Sequence, residues 1–201
     1  MKTTILTIAI AVSTLFGISQ STYAATGSTQ QVTQLSDVSN ISEIEVHGNV
    51  QVYLSEGATN QVKVYNNYYS ENALVQDENG VLRITSYSPE KLVVWVTANQ
   101  LAKLSAYDNA EIKSFGKLST IDLDVKLFNK ASAKLDMDAF TASISLDDLA
   151  KANLTGKITN GTIQFTPAST LNTNGLDAAH LVKTVKLHRF GHPHPTEFAS
   201  L

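Results

Sequence analysis

Ile121-Asp122-Leu123-Asp124-Val125-Lys126-Leu127-Phe128-Asn129-Lys130-Ala131-Ser132-Ala133 joins a strand to a turn, and the chain repeats this join. Ile121, Leu123, Val125 and Leu127 alternate with polar residues, the period-2 pattern of a half-buried strand. Asn129-Lys130-Ala131 then breaks the pattern with residues suited to a tight bend. Related turns occur at Asp108-Asn109-Ala110, Ala150-Lys151-Ala152 and Pro167-Ala168-Ser169. Ala110, Ala131 and Ala152 lie 21 residues apart, with Ala168 following at 16. Repeats of about 20 residues built from short strands and turns match one coil of a β-solenoid, in which stacked coils bury rows that a single coil cannot. A β-sandwich, with the same regular short strands, is the alternative.

Upstream the same grammar holds. Ile44 and Val46, then Val50, Val52 and Leu54, flank Gly48-Asn49, predicting strand, tight turn, strand. Val62 to Tyr65, Val81 to Ile84 after Glu78-Asn79-Gly80, and Leu92 to Val96 add further strands. The sole helical pattern, Asp177 to Lys183, is short, so the domain reads as all-β.

The first 24 residues read as a cleavable secretory signal: Lys2 ahead of the apolar run Ile5 to Ile18, then Thr22-Tyr23-Ala24 with small residues where signal peptidase requires them. That run is shorter than the ~20 apolar residues of a membrane span, and no later segment is long or apolar enough to replace it. Of 15 basic residues one is Lys2, against 18 acidic, so the mature chain is about four charges negative and nucleic acid is not an expected partner. There is no cysteine, which excludes disulfides, a lipidated cysteine, thiol catalysis and thiolate metal sites. The expected organisation is signal 1–24, flexible leader 25–40, β-domain 41–179 and an atypical, unstructured tail 180–201, in a protein located in the periplasm, on the cell surface or outside a bacterial cell.

Ile41-Ser42-Glu43-Ile44-Glu45-Val46-His47-Gly48-Asn49-Val50-Gln51-Val52-Tyr53-Leu54-Ser55-Glu56-Gly57, followed by Asn79-Gly80-Val81-Leu82-Arg83-Ile84, resembles the opening of the auto-transporter adhesins with a head GIN domain, a family formerly of unknown function and common in Bacteroidetes. The turns Ala131-Ser132-Ala133-Lys134-Leu135 and Ala168-Ser169-Thr170-Leu171 are similar to that family's recurring turn, and the likeness runs from about Ile41 to Leu176. The resemblance implies a right-handed parallel β-helix-like solenoid, export, and no established enzymatic activity. Two departures stand out. Asp108 and Asn129 occupy positions where the family uses glycine, and His180 to Leu201 does not continue the glycine-rich strands, reading instead as a truncated or frame-shifted end that would leave the last coil uncapped.

Candidate chemistry is sparse. His180, His188, His192 and His194 offer imidazoles, but a proline-rich tail lacks the rigid second shell of a metal site, so no metal or cofactor is expected. Asp122 with Asp124 and Asp136 with Asp138 each project from one strand face and form a candidate acidic face for calcium or a sugar-cleaving carboxylate pair; solvated strand charges are the plainer explanation. Tyr65, Tyr68 and Tyr69 are candidate sugar-stacking residues, whereas Trp95, surrounded by Val93, Val94 and Val96, is expected in the core. No nucleophile elbow, zincin motif or phosphate-binding loop occurs. The expected function is that of an exported, non-catalytic surface module contacting an envelope or extracellular glycan or protein, with homo-oligomerisation open. A β-helix-type polysaccharide-active enzyme and a purely structural envelope protein are the alternatives. Arg83 and Arg189, the only arginines, are remote in sequence from the aspartate pairs, which counts against the enzyme.

Overall fold

The computed structural model describes residues 32–35, 38, 40–65 and 73–187; the signal segment, Tyr68, Tyr69, His188, Arg189, His192 and His194 lie outside them. Every element described is a strand. In chain order these are β1 (Val32–Leu35), β2 (Glu43–Gly48), β3 (Val50–Glu56), β4 (Gln61–Tyr65), β5 (Ala73–Glu78), β6 (Val81–Ser86), β7 (Leu92–Ala98), β8 (Lys103–Ala106), β9 (Glu111–Ser114), β10 (Leu118–Leu127), β11 (Ser132–Leu146), β12 (Lys151–Phe165) and β13 (Thr170–Val185). The stretch 177–183, which carried the helical pattern, is part of β13.

All thirteen strands belong to one sheet, ordered β1-β4-β7-β3-β9-β11-β10-β8-β2-β6-β5, with β12 and β13 added beyond β11. The sheet curls into an open half-barrel. One limb holds β4, β7, β3 and β9, and the other holds β5, β6, β2, β8 and β10. β11 bridges them, because Ser132 to Lys134 pair with β9 while the stretch from Met137 to Leu146 pairs with β10.

The expected solenoid is therefore corrected, and so is the sandwich held beside it. A solenoid stacks its coils in chain order, but here the first pass, β2 to β3, is flanked on both sides. β6 and β7 lie against its outer side, and β8 and β9 lie against its inner side, all parallel to it. β4, β1 and β5 add antiparallel edges that no repeating coil contains. Two separate sheets, as in a sandwich, are absent because the sheet is continuous through β11.

The alternation read from the sequence decides which side of each strand faces the enclosed core. β2, β3, β4 and β7 bury every second residue. Ile44, Leu54, Ile84, Leu104, Ile112 and Leu135 are completely buried, each contributing about 1.5–3 kcal/mol of transfer free energy. Gly48-Asn49 is a corner between limbs, since β2 and β3 do not pair with each other; a side chain at Gly48 (φ 84°) would strike the Ser86 carbonyl. Asn79-Gly80, by contrast, forms a true two-residue hairpin between β5 and β6, both residues at positive φ as a type I′ turn demands.

The later corners stack in a column. Asp108, Asn129 and Asp148 occupy left-handed geometry at φ 59°, 57° and 56°. The Gly48 N–H donates to Asp108 Oδ2 (3.1 Å), that of Asp108 to Asn129 Oδ1 (3.2 Å), and that of Asn129 to Asp148 Oδ2 (3.1 Å). Ala110, Ala131 and Ala150 sit fully buried beneath them. The register pairs Ala133 with Ala152, so the structural counterpart of Ala131 is Ala150, and the step there is 19 residues, not the 21 expected. The two extra residues of the preceding pass fall at the bend between β9 and β10, where residues 114–117 stand against 135–136 of β11.

Asn129→Ala, which puts a β-carbon without a compensating polar group into the left-handed region and removes a bond to each neighbouring corner, is expected to cost about 1–3 kcal/mol. Asn129→Gly, which keeps the backbone free, should cost clearly less. Urea denaturation of the two variants distinguishes them, and equal losses would show that the backbone geometry is not limiting.

Candidate ligand-binding face

The outward residues of the first limb follow from the same period of two. Gln51, Tyr53 and Ser55 of β3, Val93, Trp95 and Thr97 of β7, Lys63 and Tyr65 of β4, and Glu111 and Lys113 of β9 all face away from the core and are half-buried. Trp95 is thus an outward residue, not a core one. Val94 and Val96 point inward, and the parity of the strand sends Trp95 to the other side.

Three aromatic rings meet there. The Trp95 ring lies 5.5 Å from Tyr53, inclined by 27°, and 5.0 Å from Phe115, inclined by 58°. Such offset and tilted pairs are the favoured aromatic geometries. The indole N–H donates to Ser55 Oγ (3.2 Å), which also bonds the Thr97 hydroxyl (2.9 Å), and Gln51 Nε2 donates to the Tyr53 hydroxyl (2.7 Å). Phe115 stands on the bend after β9 and remains 64% exposed. Sequence reasoning missed this platform; its only signal was the common parity of Tyr53 and Trp95 on strands that the chain order does not place side by side.

Beside the rings, Glu111 accepts from Lys113 (2.7 Å) and Lys91 (3.3 Å). The Lys113 bond, reinforced by Lys91, holds the Glu111 carboxyl below its ordinary value, and Glu111 in turn raises Lys113. Lys134 of β11 and Lys151 of β12 continue the face toward an open groove of about 290 Å³ that Asn153 and Asn172 also line.

The other limb carries a more closed polar set. Glu45 bonds His47 Nε2 (2.7 Å) and Arg83 Nε (3.3 Å), and its carboxyl is held below the ordinary value chiefly by the His47 bond. Lys103 is raised by its 2.6 Å pairing with Glu43. His47, Tyr107 and Phe128, each one residue before a corner at Gly48, Asp108 or Asn129, stack almost parallel at 4.3 and 4.8 Å.

The aspartate pairs fall on neighbouring strands but out of step. Asp138 lies opposite Ser119 and Asp122 opposite Thr141. Asp124 is paired with Lys126 at 3.0 Å, and Asp138 approaches Lys117 at 3.9 Å. Arg83 is engaged by Glu45 and by Glu78 (3.8 Å), three strands from β10. Among the described residues no three His, Asp or Glu side chains converge in a way that could hold a metal ion. Tyr65 ends β4 on the outward face, opposite Val93, and His180 lies exposed on β13. A partly open pocket lined by Leu54, Ala98, Leu101 and Leu118 together with Glu56 and Asn99 measures about 10 Å³, room for one water.

Residues 40–186 match the family described as "Putative auto-transporter adhesin, head GIN domain". No curated protein is a significant match. Solved structures share the fold at low identity. A "putative adhesin" from Parabacteroides distasonis is 14% identical, with 77% of each chain covered and a TM-score of 0.59. A "putative lipid binding protein" from the same species is 10% identical, covering 77% of this chain and 78% of that one, with a TM-score of 0.61. A "putative adhesin" from Parabacteroides merdae is 12% identical, with 77% of each chain covered and a TM-score of 0.52.

Because Glu45 and Glu111 are lowered in the folded state, their stabilisation is complete above the ordinary carboxylate value of 4.5 and is lost as pH falls through their lowered values. The melting temperature should therefore drop below about pH 4.5. The Glu45→Gln/Glu111→Gln double variant should be less stable than the parent at neutral pH and show a shallower acid decline. Parallel melting curves against pH for the two proteins would refute this.

Proposed function

We propose that this chain, which belongs to the auto-transporter adhesin head GIN domain family, works by surface contact with an extracellular or envelope ligand, a glycan or a protein, and carries out no catalytic step. It is an exported, adhesin-like domain. No helix among its described residues is long and apolar enough to cross a membrane. The observation that carries the reading is the Tyr53-Trp95-Phe115 platform, rigidly mounted on paired strands and open to solvent at Phe115. Partly exposed aromatics fixed by a sheet give contact area at little entropic cost. Tyr65, on the same outward face, extends it.

A polysaccharide-cleaving enzyme would need a basic side chain beside converging carboxylates. The out-of-step aspartates and the engagement of Arg83 argue against that arrangement. We therefore take Asp122, Asp124, Asp136 and Asp138 as solvated strand charges. The structural-protein reading has one specific support. Among the described residues β13 pairs only with β12, and its inward Leu171, Leu176, Ala178 and Leu181 are just partly buried, an edge that suits strand addition by a second copy.

The mature chain from Ala25, applied to an array of immobilised glycans and matrix proteins with and without calcium, should bind at least one class, and binding should be independent of calcium. Failure to bind any ligand would sink the contact reading. A calcium requirement would return the aspartates to consideration.

A further inference from the structure

Strand pairing brings seven outward residues into one line across the first limb and beyond it. Lys63 lies opposite Trp95, Trp95 opposite Tyr53, and Tyr53 opposite Lys113. Lys113 is in turn opposite Lys134, Lys134 opposite Asn153, and Asn153 opposite Asn172. Each step is one strand spacing, about 4.7–4.9 Å, so the line spans roughly 29 Å. This step is close to the advance of one pyranose ring along an extended polysaccharide. A glycan lying across the strands would keep pace with the row, meeting one side chain per sugar.

The chemistry of the row changes along its length. Trp95 and Tyr53, half-buried and packed on each other, and the exposed Phe115 leaning on the indole supply the aromatic surface open to sugar rings. Lys113 and Lys134 follow, with Lys151 one position aside and opposite Ser132, and the groove beneath them holds about 290 Å³. Asn153 and Asn172 end the row with amides that can both donate to and accept from hydroxyls. Lys63, Lys134 and Lys151 make no ion pair among the described residues. The acidic groups nearest the row on this face are Glu111, already held by Lys91 and Lys113, and Asp136, the next outward residue after Lys134 on β11. A chain that is negative as a whole thus presents a lysine-lined strip beside the Tyr53-Trp95-Phe115 cluster.

We infer that this row is a binding site for an anionic polysaccharide, its rings stacked on Trp95 and Tyr53 and its carboxylates or sulfates met by Lys113, Lys134 and Lys151. The inference rests on the surface-contact reading and gives it a ligand class and an address. Aromatic stacking sets the register of the sugar chain and the lysines select charge, so neither neutral glycans nor small anions satisfy both halves.

Trp95 is the only tryptophan in the chain, so its fluorescence reports directly on the platform. Titration with soluble polygalacturonate, with dextran sulfate, and with neutral dextran separates carboxylate, sulfate and uncharged ligands. One or both polyanions should change the Trp95 emission saturably, the effect weakening with salt, while dextran should not. Lys134→Glu/Lys151→Glu should weaken binding about tenfold or more. Lys157→Glu, outside the row on the strand segment opposite Asp138, should leave it unchanged. These exposed lysines do not support the core, and matching melting temperatures would confirm intact folding.

Polyanion binding without a Trp95 response, or binding indifferent to Lys134→Glu/Lys151→Glu, would overturn the inference and leave surface contact standing. Binding to array proteins but to neither polyanion would do the same. No binding to any glycan or protein would remove both readings.

Discussion

The inner passes depend on corners that turn at the same place. Parallel strands a few ångströms apart stay in register there because the chain between limbs bends alike after β8, β10 and β11, whereas the longer stretch 87–91 between β6 and β7 stands outside this column. Asp108, Asn129 and Asp148 meet this requirement with left-handed backbone geometry and with side-chain oxygens that accept an amide N–H from the neighbouring corner. Glycine would supply the same geometry more easily but has no oxygen to pass on. Asp and Asn at these corners thus exchange some conformational ease for bonds that lock one pass to the next. The small buried alanines under the corners let the passes approach that closely.

That locking also shapes the outer surface. Once the corners are aligned, outward residues of successive passes line up whether or not their sequence positions suggest it. The row Lys63, Trp95, Tyr53, Lys113 and Lys134 follows spatial order, not chain order, because β7 lies outside β3 and β9 inside it. The two-residue excursion at Phe115-Gly116-Lys117 disturbs only the junction of β9 and β10. Lengthening one pass where the limbs meet alters the local surface without shifting the register, and here it sets Phe115 against Trp95.

Much of the local structure could be read from residues alone, since it depends on nearest neighbours. The period-2 runs mark the strands of both limbs, and Asn79-Gly80 marks the hairpin that forms. What could not be read was the order in which passes lie together. Every pass carries the same apolar alternation, so β2 and β3 can accept neighbours on either side without changing which residues are buried. The pattern that suggested a solenoid is equally compatible with a first pass enclosed by the second and third. Trp95 was misjudged for a related reason. A run such as Leu92 to Val96 is apolar at every position, and apolarity without alternation does not say which parity faces inward. Ala152 likewise matched Ala131 by eye, although the hydrogen-bonded register pairs it with Ala133.

A surface assembled in this way has no sequence motif, which is why motif-based reasoning found so little. Its components come from β4, β7, β3, β9, β11, β12 and β13, one residue each, and only the strand pairing makes them a unit. Such a unit needs no cavity to bind an extended ligand. Each position contributes little alone, but the sheet has already fixed spacing and direction, so little ordering of the protein remains to oppose association. Fold membership does not supply this property, because relatives at 10–14% identity keep the strand scaffold while the outward positions are free to differ. Recognition in this architecture is therefore a matter of which side chains a given chain writes onto the shared rows. In this chain the row that combines stacked aromatics with lysines making no ion pair among the described residues is the one that runs from Lys63 of β4 through β7, β3 and β9 to Lys134 of β11.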